Sequence, residues 1–325
     1  MTDTAITTTR PLLDVEDLHV TFQKGNQSVQ AVAGVSFAIQ EGETLGLVGE
    51  SGCGKSTTGR AVVQVEKATS GQIRFGETEL TALSRGDLRT LRTQVQMIFQ
   101  DPISSLNPRR RVRDIVAEPL NIWSIGTKEE RQSKVNAMLD QVGIDPYVNG
   151  GRRPREFSGG QCQRISIARA LVLRPKLLVC DEIVSALDVS VQAQILNLLE
   201  DLKNEFGLTL LFIAHDLAVV KNVSDRVAVM YLGRLCEIAP SDVLYQAPAH
   251  HYTAALLASA VEPDPESART SVALAGEPPS PINPPSGCRF RTRCPRAEQR
   301  CAEEVPEMRP IGLGHQVACH FPIGS

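Results

Sequence analysis

Hydrophobic and polar positions along the chain follow two different periods. Residues 12–22 and 29–40 alternate or are rich in β-branched side chains, and the turn-forming stretch 24–27 separates them. This pattern predicts two strands of an N-terminal sheet. Further strands are predicted by short apolar runs at 44–48, 71–75, 95–99, 177–180 and 208–214. The run at 177–180 is continuously apolar, as is typical of a strand that is buried on both faces.

Between residues 112 and 142 the period becomes helical, because apolar side chains recur there at three- and four-residue spacings. We therefore expect a helical segment to be inserted between the predicted strands. Helices are also predicted over 57–64, 161–173 and 191–206.

Composition narrows the class of protein. The chain has 325 residues, which is enough for one large or two modest domains, and its net charge of -3 with a pI near 6.1 indicates no attraction to nucleic acid or anionic lipid. No apolar run reaches the eighteen or so residues of a spanning helix, and the Thr-rich stretch 1–10 lacks the apolar core of a signal peptide. We expect a cytosolic protein that reaches a membrane only through partners.

The strongest motif is a phosphate-binding loop that fits the pattern GxxxxGK[ST]. It lies between the predicted strand 44–48 and the predicted helix 57–64, which is the context that the motif requires. Its glycines let backbone N–H groups point at phosphates, its lysine reaches the terminal phosphates, and its serine is a ligand for Mg²⁺. The predicted nucleotide-binding residues are Gly49, Glu50, Ser51, Gly52, Cys53, Gly54, Lys55, Ser56 and Thr57.

Four polar side chains follow predicted strands, where ligands bind to doubly wound sheets. Asp181 and Glu182 end a buried strand, so we expect Asp181 to hold Mg²⁺ together with Ser56, and Glu182 to be the general base that activates water. Gln100 is a further candidate ligand of Mg²⁺ that also orients water. His215 is placed to contact the terminal phosphate. A lone histidine is more often structural, and a lone glutamine is more often an ordinary surface amide.

A second anion site is predicted at the start of the helix 161–173. A serine hydroxyl and two glycines precede the helix, whose first N–H groups have no partner within it. These residues are Ser158, Gly159, Gly160 and Gln161.

The order of these motifs resembles the ATP-binding subunit of an ABC transporter over about residues 12–262. The resemblance implies an α/β fold: a P-loop ATPase core with a mostly parallel sheet and flanking helices, an antiparallel β subdomain, and a helical subdomain at about 100–172. It also implies a head-to-tail dimer in which the segment 158–161 closes in trans on bound ATP. Phe22 then stacks on adenine, Asp188 lies in the dimer loop, and the helical subdomain docks on membrane subunits.

Residues 233–321 are similar to the C-terminal extension of oligopeptide and dipeptide importer ATPases, a branch that includes some nickel and oligosaccharide importers. The implied organisation is an ATP-binding domain at 1–262, a Pro-rich linker at 263–287 and a small Cys-rich module at 288–325. The implied partners are two membrane permease subunits, a second ATPase that is usually a different chain, and an extracytoplasmic peptide-binding protein. The chain would lie on the cytoplasmic face of the cell membrane.

The four cysteines of this tail suggest a metal. The last forty residues contain four cysteines, Cys288, Cys294, Cys301 and Cys319, but few apolar residues. Such a segment needs a stabilising link, such as a bound metal, in order to fold. Their spacing lacks a CxxC pair and is compatible with structural zinc or an iron–sulfur cluster, with zinc favoured by spacing alone. The family resemblance implies a 4Fe–4S cluster instead. His320 is a flanking alternative ligand.

Two positions depart from the family pattern, and two other classes of protein share parts of it. Cys162 stands where an arginine is usual, and the loss of that cation is expected to weaken closure on ATP. Ile183 stands where proline or a small residue is usual, and it is expected to shift Glu182. ABC-type ATPases that act on nucleic acid or ribosomes share the core motifs but not the tail. A redox enzyme built on the cysteines is the third alternative.

Overall fold

The computed structural model of the chain describes residues 10–25, 27–260 and 276–324. Its strands are β1 (Leu13–Lys24), β2 (Gln27–Ile39), β3 (Thr44–Val48), β4 (Ser70–Phe75), β5 (Thr78–Glu79), β6 (Val95–Ile98), β7 (Leu177–Asp181), β8 (Thr209–Ala214), β9 (Arg226–Tyr231), β10 (Arg234–Pro240), β11 (Arg309–Gly312) and β12 (His315–Val317).

The helices lie between these strands, singly or in groups. They are α1 (Lys55–Val62), α2 (Arg85–Leu91), α3 (Pro102–Ser105), α4 (Val112–Ile122), α5 (Lys128–Gln141), α6 (Gly159–Leu171), α7 (Val189–Phe206), α8 (Leu217–Val223), α9 (Ser241–Gln246), α10 (His251–Ala260) and α11 (Gln299–Glu303). None of the helices in the described ranges is long and apolar enough to cross a membrane.

The first sheet is antiparallel, in the order β2-β1-β4-β5, and it contains the two strands that the pattern at 12–22 and 29–40 predicts. Leu13 and Val15 of β1 are buried, and so are Leu18 and Val20 after a shift in register between Val15 and Leu18. They pack in one apolar cluster with one face of the second sheet, to which Leu45 and Leu47 of β3 belong. The antiparallel β subdomain is therefore confirmed.

The second sheet has the order β11-β12-β10-β9-β3-β8-β7-β6. The five strands from β9 to β6 are parallel, and strands β3, β7 and β8 are buried along their whole length. Parallel strands end at the same edge of a sheet, so this register brings together the residues that follow Val48, Ile98, Asp181 and Ala214. The predicted mostly parallel sheet with flanking helices is confirmed, and its carboxyl edge positions the site.

The helical segment lies between β6 and β7. Helices α4, α5 and α6 share an apolar core in which Ile115, Val116, Leu139 and Ile165 are almost fully buried. Helix α5 begins with a capping box, because the side chains of Thr127 and Glu130 bond to each other's backbone N–H groups. The inserted helical subdomain that the sequence predicts is present.

The tail is not a separate Cys-rich module, which corrects the sequence-based expectation. Strand β12 pairs with β10, with Val317 opposite Glu237, so the tail extends the main sheet. Phe290 is buried in the same apolar cluster as the main domain. Within β10 the buried carboxylate of Glu237 accepts a hydrogen bond from His315 Nε2 at 2.7 Å. This segment, which has few apolar residues, is stabilised by its packing on the main sheet and core.

The Pro-rich linker predicted at 263–287 falls partly outside the described residues, which resume at Gly276. The part from 276 to 287 contains no strand or helix. Among the described residues, the elements that the hydrophobic pattern did not predict are strands β5 and β9 to β12 and the short helices α2, α3 and α8 to α11. Most of them are too short for their period to stand out, and β9 and β10 are buried mainly by tertiary contacts.

Candidate functional site

The predicted phosphate loop joins β3 to α1. Gly49 and Gly54 have φ angles of 153° and 107°, which favour glycine. A Cβ at Gly49 would collide with the carbonyl of Met230, and one at Gly54 would collide with the carbonyl of Ala31. The loop is therefore pressed against neighbouring backbone, and only glycine fits at these two positions.

Lys55 begins α1 and is buried, with 3% of its side chain exposed. Its ammonium donates to the carbonyls of Gly49 at 2.8 Å and Glu50 at 3.1 Å. It also lies 3.7 Å from Glu182 Oε1. The cation is thus held inside the curl of the loop, where it is placed to meet phosphate oxygens.

Ser56 and Asp181, the two residues predicted to hold Mg²⁺, lie in direct contact. The Ser56 hydroxyl donates to Asp181 Oδ1 at 2.6 Å, while Asp181 Oδ2 is buried and accepts no hydrogen bond. Burial raises the pKa of the Asp181 carboxyl, and Ser56 and the Arg60 guanidinium, 3.9 Å away, offset part of that rise. A hydroxyl and an orphaned carboxylate oxygen are the ligands that Mg²⁺ prefers, so these residues fit the ion.

Glu182 follows directly and is the centre of a second group. Its Oε2 accepts from Gln100 Nε2 at 2.8 Å and lies 3.9 Å from His215 Nδ1. Its backbone has a φ of 49°, and its N–H donates to the carbonyl of Ile213. The structure therefore brings Gln100, Glu182 and His215 together at the edge of the sheet, beside Lys55. Glu182 keeps 13% of its side chain exposed, so water can reach it.

The predicted second anion site stands apart from this group. Ser158 caps α6 and forms a capping box with Gln161, in which each side chain accepts from the backbone N–H of the other. Gly160 packs so closely on Val191 that a Cβ there would lie 2.5 Å from its Cγ1. Within the described part of the chain, no hydrogen bond or ion pair joins the segment 158–161 to the phosphate loop.

Phe22 and Asp188 have positions that fit a role in binding other molecules. Phe22 lies near the end of β1 with 39% of its surface exposed, so it is not a core residue. Asp188 caps α7 through its backbone, and its side chain makes no capping hydrogen bond. Neither side chain is committed to the packing of the described chain.

Cys162 and Ile183, the two residues that depart from the family pattern, are both buried. Cys162 is buried in α6, and its thiol donates to the carbonyl of Pro154 at 3.5 Å. Ile183 is 2% exposed and belongs to the main apolar cluster. The side chain of Glu182 nevertheless reaches Gln100, so Ile183 does not displace it from the group at the sheet edge.

The four tail cysteines do not form the predicted metal site. Burial raises the pKa of the Cys319 thiol to about 11, with smaller contributions from Cys288, Cys294 and Cys301, so the four lie in one region. Among the described residues, however, no three His, Cys, Asp or Glu side chains are arranged so that they could hold a metal ion. Neither zinc nor a 4Fe–4S cluster is supported by this geometry.

Three residues that contact the site were missed by reading the sequence. Arg60 lies one turn after Ser56 on α1, so helical spacing contained the signal that it faces Asp181. Tyr252 accepts a hydrogen bond of 2.9 Å from the N–H of Glu50, and Arg293 pairs with the Glu50 carboxylate. Both lie more than 200 positions from the loop, and no local pattern could connect them with it.

Two family models match the chain. The model described as "ABC transporter" matches residues 32–185, and the model described as "Oligopeptide/dipeptide transporter, C-terminal region" matches residues 236–301. The first spans the phosphate loop, the helical segment and the acidic pair after β7. The second begins in β10 and ends in α11, so it covers the junction between the tail and the main sheet.

Full-length relatives and a solved structure agree with these matches. A putative oligopeptide transport ATP-binding protein, YkfD of Bacillus subtilis, is 53% identical over 315 residues, which cover 96% of this chain and 95% of the relative. The oligopeptide transport ATP-binding protein OppF of Escherichia coli is 51% identical over 320 residues, with 95% of each chain covered. The dimeric post-hydrolysis structure of the ATP-binding cassette MJ0796, bound to ADP and Pi, has a TM-score of 0.65 at 27% identity and covers 70% of this chain and 98% of that one.

Proposed function

The chain belongs to the family of oligopeptide transport ATP-binding proteins, and we propose that it hydrolyses ATP to power the import of di- and oligopeptides through a membrane ABC transporter. The observation that carries this proposal is the junction of Ser56, Asp181 and Glu182. One bond joins the phosphate loop to the last residue of β7, and the residue that follows β7 presents a second carboxylate to water.

Each residue at this junction has a role that its surroundings support. Ser56 and Asp181, with Gln100 as a further ligand, would hold Mg²⁺, which would supply positive charge that neutralises phosphate oxygens. Lys55 binds the terminal phosphates with an ammonium that the loop carbonyls already orient. Glu182 accepts the proton of the attacking water as general base, Gln100 orients the carboxylate of Glu182, and His215 contacts the terminal phosphate from the exposed side.

Two copies of the ATPase core complete each site in this proposal. Ser158, Gly159, Gly160 and Gln161 would close in trans on ATP held by the other subunit, as their separation from the phosphate loop supports. Asp188 would lie in the dimer loop, and the exposed ring of Phe22 would stack on adenine. The relative MJ0796 is described as a dimer bound to ADP and Pi, which supports the same arrangement here.

The rest of the assembly follows from the family. The chain would work with two permease subunits, an extracytoplasmic peptide-binding protein and a second ATPase that is usually a different chain. Its place would be peripheral, on the cytoplasmic face of the membrane. YkfD and OppF are both named for oligopeptide transport, and this favours peptides over nickel or oligosaccharides as the imported substrate.

The test is peptide uptake by proteoliposomes that contain the permease pair and both ATPases. We expect ATP inside the vesicle to drive uptake of labelled di- and oligopeptides, and Glu182→Gln in this chain to abolish it. The variant Glu200→Gln changes an exposed carboxylate of α7 and serves as the matched control. Uptake of nickel or an oligosaccharide but no peptide would reject the substrate. ATPase activity that responds to RNA or ribosomes, and not to the permeases, would reject transport.

The 4Fe–4S cluster enters no step of this mechanism. The resemblance implies it, the arrangement of the four thiols does not support it, and it stays a prediction for chemical analysis of the purified protein. A redox activity has no support in the geometry described above.

A further inference from the structure

The tail reaches the phosphate loop through one ion pair. Arg293 Nη1 lies 2.7 Å from Glu50 Oε2, and Arg293 Nη2 lies 3.1 Å from Glu50 Oε1. This is a bidentate arginine–carboxylate pair, which fixes the orientation of both side chains. Only 5% of the Arg293 side chain and 24% of the Glu50 side chain are exposed, so the pair is largely shielded from solvent.

Glu50 is the second residue of the loop, and three of its groups are held by other residues. Its carboxylate pairs with Arg293, its N–H donates to the hydroxyl of Tyr252, and its carbonyl accepts from the ammonium of Lys55. The bond from Lys55 connects the Glu50–Arg293 pair directly to the ammonium that would bind the phosphates. A displacement of Glu50 would therefore move the carbonyl that orients Lys55.

Arg293 is itself held on a rigid aromatic surface. Its guanidinium lies 5.8 Å from the ring centroid of Tyr231 and donates to the Tyr231 hydroxyl at 3.4 Å. Its backbone N–H donates to the carbonyl of Phe290, whose ring centroid lies 5.3 Å from those of both Tyr231 and Tyr252. The same tail thus contacts β9, the start of α10 and the loop.

The tail is docked beside the loop by further contacts. Arg289 donates to the carbonyl of Leu232 and to Gln30 Oε1, and the tail N–H of Ala318 donates to the carbonyl of Cys236. Leu232 is followed by Gly233, whose N–H donates at 2.7 Å to the carbonyl of Cys53 inside the phosphate loop. Among the described residues, the tail thus connects with the loop both through Arg293 and through the contact of Arg289 with Leu232, and the route through Arg293 ends on a carboxylate of the loop itself.

We propose that Arg293 is a positioning residue of the nucleotide site, through which the docked tail holds Glu50 and sets the affinity of the phosphate loop for ATP. The proposal rests on the ATP-binding function proposed above. Without Arg293, the Glu50 carboxylate would face a triphosphate with its charge uncompensated, and like charges in a shielded site repel. The pair also limits the conformations open to a loop that contains three glycines.

The experiment measures the affinity of the full chain for a non-hydrolysable ATP analogue with Mg²⁺ by titration calorimetry. Arg293→Ala is expected to weaken binding about 10- to 100-fold, the range of a hydrogen-bonded charge pair, and Arg293→Lys to weaken it less. The control is Arg296→Ala, since Arg296 lies three positions away, pairs with Glu298 and is 62% exposed. Its affinity should equal that of the wild type.

The double variant Arg293→Ala with Glu50→Gln separates a positioning role from a general loss of structure. Removing the carboxylate as well should restore part of the lost affinity, because the repulsion disappears. Damage to the fold would instead persist or grow in the double variant. Hydrogen exchange at residues 49–56 should be faster in Arg293→Ala than in Arg296→Ala, and Arg293→Lys supplies the same comparison if the alanine variant does not fold.

Two results would overturn the proposal. One is wild-type affinity in a folded Arg293→Ala protein, and the other is a double variant that binds no better than Arg293→Ala. A failure of the proposed function looks different, since then the wild type and Lys55→Ala would both fail to bind the analogue.

Discussion

The hydroxyl of Ser56 donates a hydrogen bond of 2.6 Å to Asp181 Oδ1, across 125 positions of sequence. The bond joins the first turn of α1 to the last residue of β7. Asp181 is fully buried, and its other oxygen accepts no hydrogen bond. A bound cation would supply the contact that this oxygen lacks.

Asp181→Asn should therefore lose Mg²⁺-dependent ATP hydrolysis by at least about 100-fold, since a metal contributes several kcal/mol to such a reaction. Nucleotide binding measured in EDTA should change little. The control Asp201→Asn alters an exposed carboxylate of α7 and should leave hydrolysis unchanged. Hydrolysis by Asp181→Asn at the wild-type rate with Mg²⁺ would contradict the assigned metal site.

The raised pKa of Asp181 predicts how the stability of the wild type and of Asp181→Asn changes with pH. A carboxyl whose pKa is higher in the folded state stabilises the fold below its ordinary pKa, and that contribution is lost as pH rises through the raised value. Without Mg²⁺, wild-type stability should thus decline over that rise in pH, and Asp181→Asn should remove this decline. Thermal unfolding in EDTA from pH 4 to pH 7 measures it.

Glu182→Gln tests the general base. The amide keeps the shape of the carboxylate but cannot accept a proton, so turnover should fall about 10²- to 10⁴-fold while ATP affinity is retained. Steady-state hydrolysis by the assembled transporter and ATP binding by the chain give the two values. If Glu182→Gln turned over as fast as Glu200→Gln, another group would have to activate the water.

His250 predicts how the protein responds to acid. Burial, with a smaller effect of the neighbouring His251, lowers the pKa of His250 from 6.5 to about 3. Its ring Nδ1 accepts from the backbone N–H of Tyr252, and its backbone N–H donates to Glu237 Oε2. A depressed pKa stabilises the fold above the ordinary value of 6.5, and this contribution is lost as pH falls from there toward 3, at about 1.4 kcal/mol per pH unit.

His250→Asn keeps an acceptor for Tyr252 and cannot take up a proton in this range. Urea unfolding between pH 7 and pH 5 should show a shallower loss of stability in this variant than in the wild type. Equal slopes would mean that other groups cause the acid sensitivity.

Metal analysis tests the cluster that the family resemblance implies. That prediction expects iron and acid-labile sulfide in protein purified without oxygen, together with a broad visible band, all lost in Cys294→Ser. Zinc, or protein without stoichiometric metal, would show that the tail depends on its packing on the main domain. Cys162→Ser is a suitable control, because that thiol is buried in α6, away from the tail.

The sequence by itself determined the ATPase core. The loop at 49–56 and the acidic pair at 181–182 carry local signals, since a glycine-rich turn and a buried apolar strand ending in carboxylates need no distant residue to be recognised. Parallel pairing of strands then places Gln100 and His215 beside them, so their convergence was predicted from chain order alone. The roles of the segment 158–161 and of Phe22 stay predictions, because one chain cannot complete a site that two chains share.

Only the tertiary structure decided what the tail does. Its composition suggested a separate module tied by metal, yet β12 joins the main sheet and Phe290 enters the main core. The pair between Glu50 and Arg293 spans 243 positions and leaves no periodic or spacing signal in either segment. The physical reason is that local patterns record which side chains seek burial or a turn, whereas the partner that meets a buried charge is chosen by the packing of the whole chain.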